Sequence, residues 1–212
     1  MDIYRTPLLT AREVARHLQM HESTLDRWIR SQAADAPLVH ALVPERRGWP
    51  RMPFVSIIEA HVLKALRDLG FSHSAIEAAA ATVRHEFGTE YALASQRLAS
   101  DGVALFIKTA DEGLVHAVNG DQAIREVLQD FLRFVSWDDQ GAPKALRLRQ
   151  YGGAEVVIDP RFGWGAPVLS ASKVPVEALS SLWQSGEPMA VIAEEYELPV
   201  TMVEDALRGF AA

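Results

Sequence analysis

Apolar residues recur at helical spacing along most of this chain, and at alternating spacing in a few short stretches only. Thr10-Ala-Arg-Glu13 opens the first helical pattern as a capping box, in which Thr10 bonds the Glu13 amide and Glu13 reaches back. Val14, Ala15 and Leu18 continue it as one stripe, and a second short helix over 22–31 turns Leu25, Trp28 and Ile29 inward. Residues 32–53 carry four prolines and no period. Ser56-Ile-Ile-Glu59 reads as a second capping box, opening a helix with Ile58, Val62, Leu66 and Leu69 on one face and Gly70 at its end. An alanine-rich helix over 74–87 follows, with Ile76, Ala79, Val83 and Phe87 as its stripe. Runs at 103–109 and 114–119 flank Asp111-Glu-Gly113 and predict a hairpin. Residues 122–134 are again helical, and 145–150 and 155–158 are strand candidates. Three short helices then begin near Pro175, Pro188 and Pro199, each proline suiting a first turn. The expected fold is α+β and mainly helical.

The chain has 212 residues, 49% hydrophobic and 23% charged, enough for a sizeable core in one or two modules. We divide it into residues 1–90, a central connector over 91–153 and a C-terminal helical module over 154–212. There is no cysteine, which removes disulfides, thiolate metal sites and cysteine nucleophiles. No apolar run approaches the roughly 20 residues of a membrane span, and charges at positions 2, 5 and 12 leave no room for a signal-peptide core. A soluble, cytoplasmic protein is expected. Gly163-Trp-Gly165 is too sparse for a phosphate loop, and neither a zincin nor a nucleophile-elbow motif occurs. A helix break is expected between His17 and His21, against a metal pair. The expectation is a non-enzyme without cofactor or metal.

Charge separates by region. Residues 1–88 hold 11 basic against 10 acidic side chains, whereas 89–212 hold 10 against 18, within a net charge of −7. Two helix-turn-helix frames, each a small residue among apolar supports, fall on opposite sides of that divide. Ala15 with Val14, Leu18, Met20, Leu25 and Trp28 makes the first. Ala193 with Ile192, Tyr196, Leu198, Val203 and Ala206 makes the second. The turn position that often takes glycine is Gln19 in one and Glu197 in the other. The first frame would present His21, Glu22, Ser23, Asp26, Arg27 and Arg30, followed by Arg46, Arg47 and Arg51 on the adjoining loop; of these, His21, Ser23 and the five arginines are the candidates for contacts with phosphates and guanine edges. From Ala166 onward there are two basic against seven acidic residues, a surface that phosphates repel. That module is expected to bind a protein, with Arg161, Phe162 and Trp164 as candidate contacts. Arg161 is the interface candidate of the three, and Trp164 is read first as a cap on the module's own small core.

The segments LLTAREVARHLQMHESTLDRWIR and FVSIIEAHVLKALRDLGFSHSAIEAA resemble a MerR-like winged helix-turn-helix. The stretch from Val156 to Phe210, with its Ile158-Asp-Pro160 opening, Gly165-Ala-Pro-Val168 turn and Ile192-Ala-Glu-Glu-Tyr196 hairpin, is similar to the small C-terminal domain of VapB-type antitoxins. Where that pattern has Gly-Arg-Pro-Val and Gly-Thr-Arg, this chain has Ala166 in the first and Ala171-Ser172-Lys173 for the second. The resemblance implies an antitoxin that neutralises a PIN-type ribonuclease and binds its own operator DNA as a dimeric autorepressor. Two other readings stand beside it: a stand-alone MerR-like regulator whose central region binds a small molecule, and a protein-interaction adaptor without DNA binding.

Overall fold

A helix buried on every side organises the first part of the chain. In the computed structural model, which describes residues 2–31, 36–98 and 121–211, the chain divides into two compact units, 1–144 and 145–212. In the first, α1 (Ala11–His17) and α2 (Glu22–Arg30) form a helical hairpin ahead of α3 (Phe54–Asp68) and α4 (His73–Phe87). Every residue of α3 from Phe54 to Leu63 is buried. It packs against α4, a short 3-10 turn at Ala92–Ala94 and α5 (Asp121–Leu132). A helix that is apolar nearly all round is stable only as the centre of a core. Thr10 and Glu13 make the expected reciprocal cap of α1.

The capping box expected at Ser56–Glu59 does not form. The helix starts three residues earlier, after Pro53, which offers no side-chain cap. Ser56 and Glu59 lie inside α3, fully buried. Proline fixes φ and suits the start of a helix without a hydroxyl cap, which frees the Glu59 carboxylate for a tertiary partner. Helix α4 starts at His73, capped by Ser72, and Leu69 stays outside the buried core. The hairpin expected over 103–119 lies outside the described residues. No helix among the described residues is long and apolar enough to cross a membrane.

Among the described residues, four short strands pair in chain order: β1 (Val135–Trp137), β2 (Pro143–Arg147), β3 (Val156–Ile158) and β4 (Val168–Leu169). β1 and β4 had no counterpart in the periodicity, being too short to show alternation. In the second unit β3 pairs antiparallel with β2 through Leu146 and Ile158 and with β4 through Val156 and Leu169. Helices α6 (Val176–Gln184), α7 (Met189–Glu195) and α8 (Val200–Ala211) complete it, each following the proline that the sequence marks. Val176, Leu179, Ile192, Val203 and Ala206 form its core with the strands.

Both helical hairpins turn by the same hydrogen bonds. The Met20 amide donates to Ala15 at 2.9 Å, and the Leu198 amide to Ala193 at 2.8 Å. Gln19 donates to Arg16, and Glu197 to Glu194, at 3.1 and 3.2 Å. Gln19 and Glu197 take φ of 51° and 54°, the left-handed conformation that glycine adopts freely. The frame is therefore built twice, each time at the cost of a strained turn residue. Gln19→Gly and Glu197→Gly should each stabilise the chain by roughly 0.5–1 kcal/mol, the relief of strain exceeding the added freedom of the unfolded chain. Thermal melts are expected to rise by about 2 °C per substitution, and a fall in either melt would contradict this account of the turns.

His17 closes α1 with its ring buried. Burial, aided by the neighbouring Arg16 and opposed by Glu13, pushes its imidazole down from 6.5 to about 4. The unfolded chain binds that proton more readily, so the contribution to stability present above about pH 6.5 is lost as pH falls towards 4. Between pH 7 and pH 5 this one group should remove about 2 kcal/mol. Urea melts of wild type and His17→Gln across that range test it, with a flatter profile expected for the variant.

Candidate nucleic-acid interface

Two short helices and one loop bring the basic residues of the first unit together. Helix α2 buries Leu25 and Trp28, which leaves His21, Ser23, Arg27 and Arg30 on the exposed side. His21 is the N-cap, its Nδ1 accepting from the Ser23 amide at 3.3 Å and lying 2.7 Å from the Ser23 hydroxyl. A ring nitrogen that accepts there leaves Nε2 as the outward donor. Arg30 turns its Nε back onto the Asp26 carbonyl.

The loop after α2 is closed by the Leu42 amide donating to the Arg51 carbonyl at 2.8 Å, and Met52 pairs with Leu9 ahead of α1. At its tip Trp49 donates to the Arg46 carbonyl across a turn in which Gly48 has φ 87°, a conformation open to glycine at no steric cost. Arg46 stacks over Trp49 at 5.2 Å, and both are exposed. Between this loop, the start of α1 and the exposed side of α2 lies a cleft of about 680 Å³, with Arg12, Arg47, Arg51 and Trp49 facing Glu22 and Asp26.

Ion pairing sorts these arginines into two groups. Arg51 donates to Asp26 at 2.8 Å, tying the loop to α2, and Arg12 pairs with Glu22 at 3.2 Å. Their charge is neutralised, and they hold the frame in place. Arg27, Arg30, Arg46 and Arg47 are exposed and make no ion pair among the described residues, Asp26 and Glu22 being taken by Arg51 and Arg12. They have the free guanidinium donors that a phosphate or a guanine edge accepts. The sequence pattern named all seven residues but not this division, because Asp26 and Arg51 lie 25 positions apart.

The loop owes its position to charged groups that sequence reading missed. Glu59, on the buried face of α3, accepts from the His40 amide at 2.9 Å and from its Nδ1 at 2.8 Å. Arg84 of α4 donates to the Pro37 and Leu38 carbonyls at 2.6 and 3.4 Å. Burial pushes the Arg84 guanidinium down, while the Glu59 and Glu90 carboxylates act against it. Segment 37–40, immediately before the basic loop, is thus held from both sides. A buried charge whose partner is removed costs about 3–5 kcal/mol. Glu59→Ala should lose stability on that scale in urea melts, and a loss under 1 kcal/mol would show that the clamp is idle.

The candidate protein contacts sit in the second unit. Asp159, 1% exposed, accepts from Arg161 Nε at 2.9 Å and Nη2 at 2.6 Å, and from the Arg161 amide at 3.0 Å. Burial alone would push its carboxyl up; the bonds from Arg161 outweigh this and hold it below its usual range. Phe162 is partly exposed between Arg161 and Lys173, 5.5 and 4.9 Å from its ring. Trp164 does not cap the core: it is 83% exposed. A left-handed turn of the backbone at 163–165 points it outward, a conformation that no side-chain pattern reveals.

Known proteins place these surfaces in a lineage. Residues 7–79 match a family described as "Putative DNA-binding HTH domain", and residues 156–208 one described as "Protein of unknown function (DUF433)". The crystal structure of Rv2018 from Mycobacterium tuberculosis superposes with a TM-score of 0.81 at 30% identity, over 96% of this chain and 99% of that one. The protein named "Putative antitoxin VapB45" from Mycobacterium tuberculosis is 31% identical over 230 aligned positions, spanning 99% of this chain and 96% of its own length. With a helix-turn-helix at one end, DUF433 at the other and that identity sustained throughout, this chain belongs to the VapB45 antitoxin family.

Proposed function

We propose that this protein is the antitoxin of a type II toxin–antitoxin pair, that it neutralises a PIN-type ribonuclease, and that it binds its own operator as an autorepressor. It acts in the cytoplasm, by binding and without catalysis. The observation that carries the DNA half is a group of exposed arginines without an ion pair, Arg27 and Arg30 on α2 and Arg46 and Arg47 on the loop, on a helix-turn-helix in a chain of net charge −7. On this reading α1–α2 is a MerR-like helix-turn-helix with 41–51 as its wing. Arg27, Arg30, His21 and Ser23 meet base edges and nearby phosphates, Arg46 and Arg47 meet the backbone, and Arg51 braces the wing. The module is residues 1–90, and 91–153 connects it to the rest.

The second unit takes the protein partner. Its own helix-turn-helix, α7–α8, exposes Glu194, Glu195 and Glu197, and phosphates are repelled by such a surface. One helix-turn-helix reads few base pairs, so a homodimer on two half-sites a helical turn apart is the working species.

Gel shifts and footprints on the DNA upstream of the chain's own gene test this. Arg27→Ala should cost about 1–3 kcal/mol of operator affinity and relax base preference. Arg47→Ala should weaken binding evenly across sequences and lower the salt slope by about 1. A footprint of two half-sites is expected. Equal affinity of wild type and both variants would remove the DNA half of the proposal, and a single half-site bound by a monomer would remove the dimer.

A further inference from the structure

We infer that Trp164 is a preformed anchor for the protein partner, inserting into an apolar pocket of that partner rimmed by acidic groups. This deepens the antitoxin reading and rests on it. Two separate costs fall on this one residue. Its indole stands in water, 83% exposed, the most exposed of the large aromatic side chains among the described residues. Its backbone takes φ 53° and ψ 32°, a left-handed conformation rare for a bulky residue. Glycine would avoid both costs, and Trp164 has glycine on either side. A strained residue of this kind persists only where its surroundings over-determine it, and such residues gather at functional positions.

The surroundings do determine it. Gly163, Trp164 and Gly165 are left-handed in succession, with φ of 59°, 53° and 88°. The Gly165 and Ala166 amides donate to Phe162 and Gly163 at 3.3 and 2.9 Å. A Cβ on Gly163 would come within 2.9 Å of the Val168 side chain, so the turn is packed on its inner side, where Gly165 is buried. Buried Asp159 fixes the strand-side end, bonding Arg161 through main chain and side chain while its carbonyl accepts from the Phe162 amide at 2.9 Å. The backbone that carries the tryptophan is thus fixed, with the side chain directed outward, before any partner arrives, which lowers the ordering cost of association. Asp159 and Arg161 are positioning residues on this account.

The chemistry of the partner follows from the neighbours. Arg161, half exposed at its side chain, and Lys173 both lie against Phe162 beside the turn. Lys173 supplies the cation of the rim they make, and Arg161, its charge shared with buried Asp159, a half-exposed guanidinium edge, in a module whose last 47 residues carry two basic against seven acidic side chains. Tryptophan and arginine are the residue types that dominate interface energies when seated in a pocket. The complementary surface is an apolar slot wide enough for indole with carboxylates at its edge.

The test uses the full chain and the PIN-type ribonuclease of the proposed pair, with affinity measured by calorimetry for wild type, Trp164→Ala, Trp164→Gly and Trp164→Phe. Trp164→Ala and Trp164→Gly should weaken the complex about 30-fold or more, while Trp164→Phe keeps most of the affinity. Operator binding by the chain alone should not change. Trp164→Gly should melt about 2 °C higher than wild type, so that stability and affinity move in opposite directions. Wild-type binding with an unaltered Trp164→Ala complex would overturn this assignment alone. Loss of self-association in Trp164→Ala with nuclease binding intact would overturn it in favour of a contact between copies. Failure of the wild-type chain to bind the nuclease would overturn the antitoxin reading and this one with it.

Discussion

The first unit depends on a carboxylate placed where water cannot reach it. Glu59 sits on a helix buried all round, and a bare charge there would be prohibitive. What makes it tolerable is the His40 main chain and ring brought to it by the segment leading into the basic loop. The need to satisfy one buried group therefore becomes a constraint on surface geometry. Arg84 applies the same logic from α4, using two carbonyls of the same segment. Such a clamp adds little net stability over an apolar core, but it penalises every other path of the segment. Tyr91, whose ring lies 4.6 Å from that of His40, closes the site further.

The two helical hairpins show how little of a helix-turn-helix belongs to DNA. Both have the same turn bonds, the same small residue at the crossing and the same left-handed fourth position. They differ in what stands on the outside. Arginines surround the first, and glutamates surround the second. Backbone geometry brings a helix into reach of a partner, and surface charge decides which partner can approach. The acidic residues Glu22 and Asp26 beside the first hairpin are each occupied by an arginine.

In the second unit the same economy appears in the turn at 163–165. A buried Asp159, two glycines and the packing of Val168 together hold a conformation that Trp164 would not choose by itself. Lys173, also left-handed at φ 61°, donates to the Ser170 carbonyl at 2.6 Å and so fixes the cation beside Phe162. Local strain is offset by the small core formed by β3, β4 and α6.

Periodicity and capping chemistry alone determined the helices α1, α2, α4, α6, α7 and α8 to within a few residues, because those signals are local and read off neighbouring positions. Both helix-turn-helix frames and the partition of charge were equally legible, for the same reason. Ser56 and Glu59 mark the limit of such reading. Their spacing is that of a cap, but a nearby Pro53 starts the helix and a loop residue 19 positions away claims the carboxylate. Which arginines remain free was decided by Asp26 meeting Arg51 across 25 residues. Gly209, in the middle of α8 where glycine weakens a helix, is explained only by Tyr151, whose ring would lie 2.5 Å from any Cβ there. Trp164 looked like a core residue because its type usually is one, and its exposure follows from the left-handed turn beneath it. Groups brought together by the fold, and backbone angles imposed by packing, leave no trace in the spacing of residues along the chain.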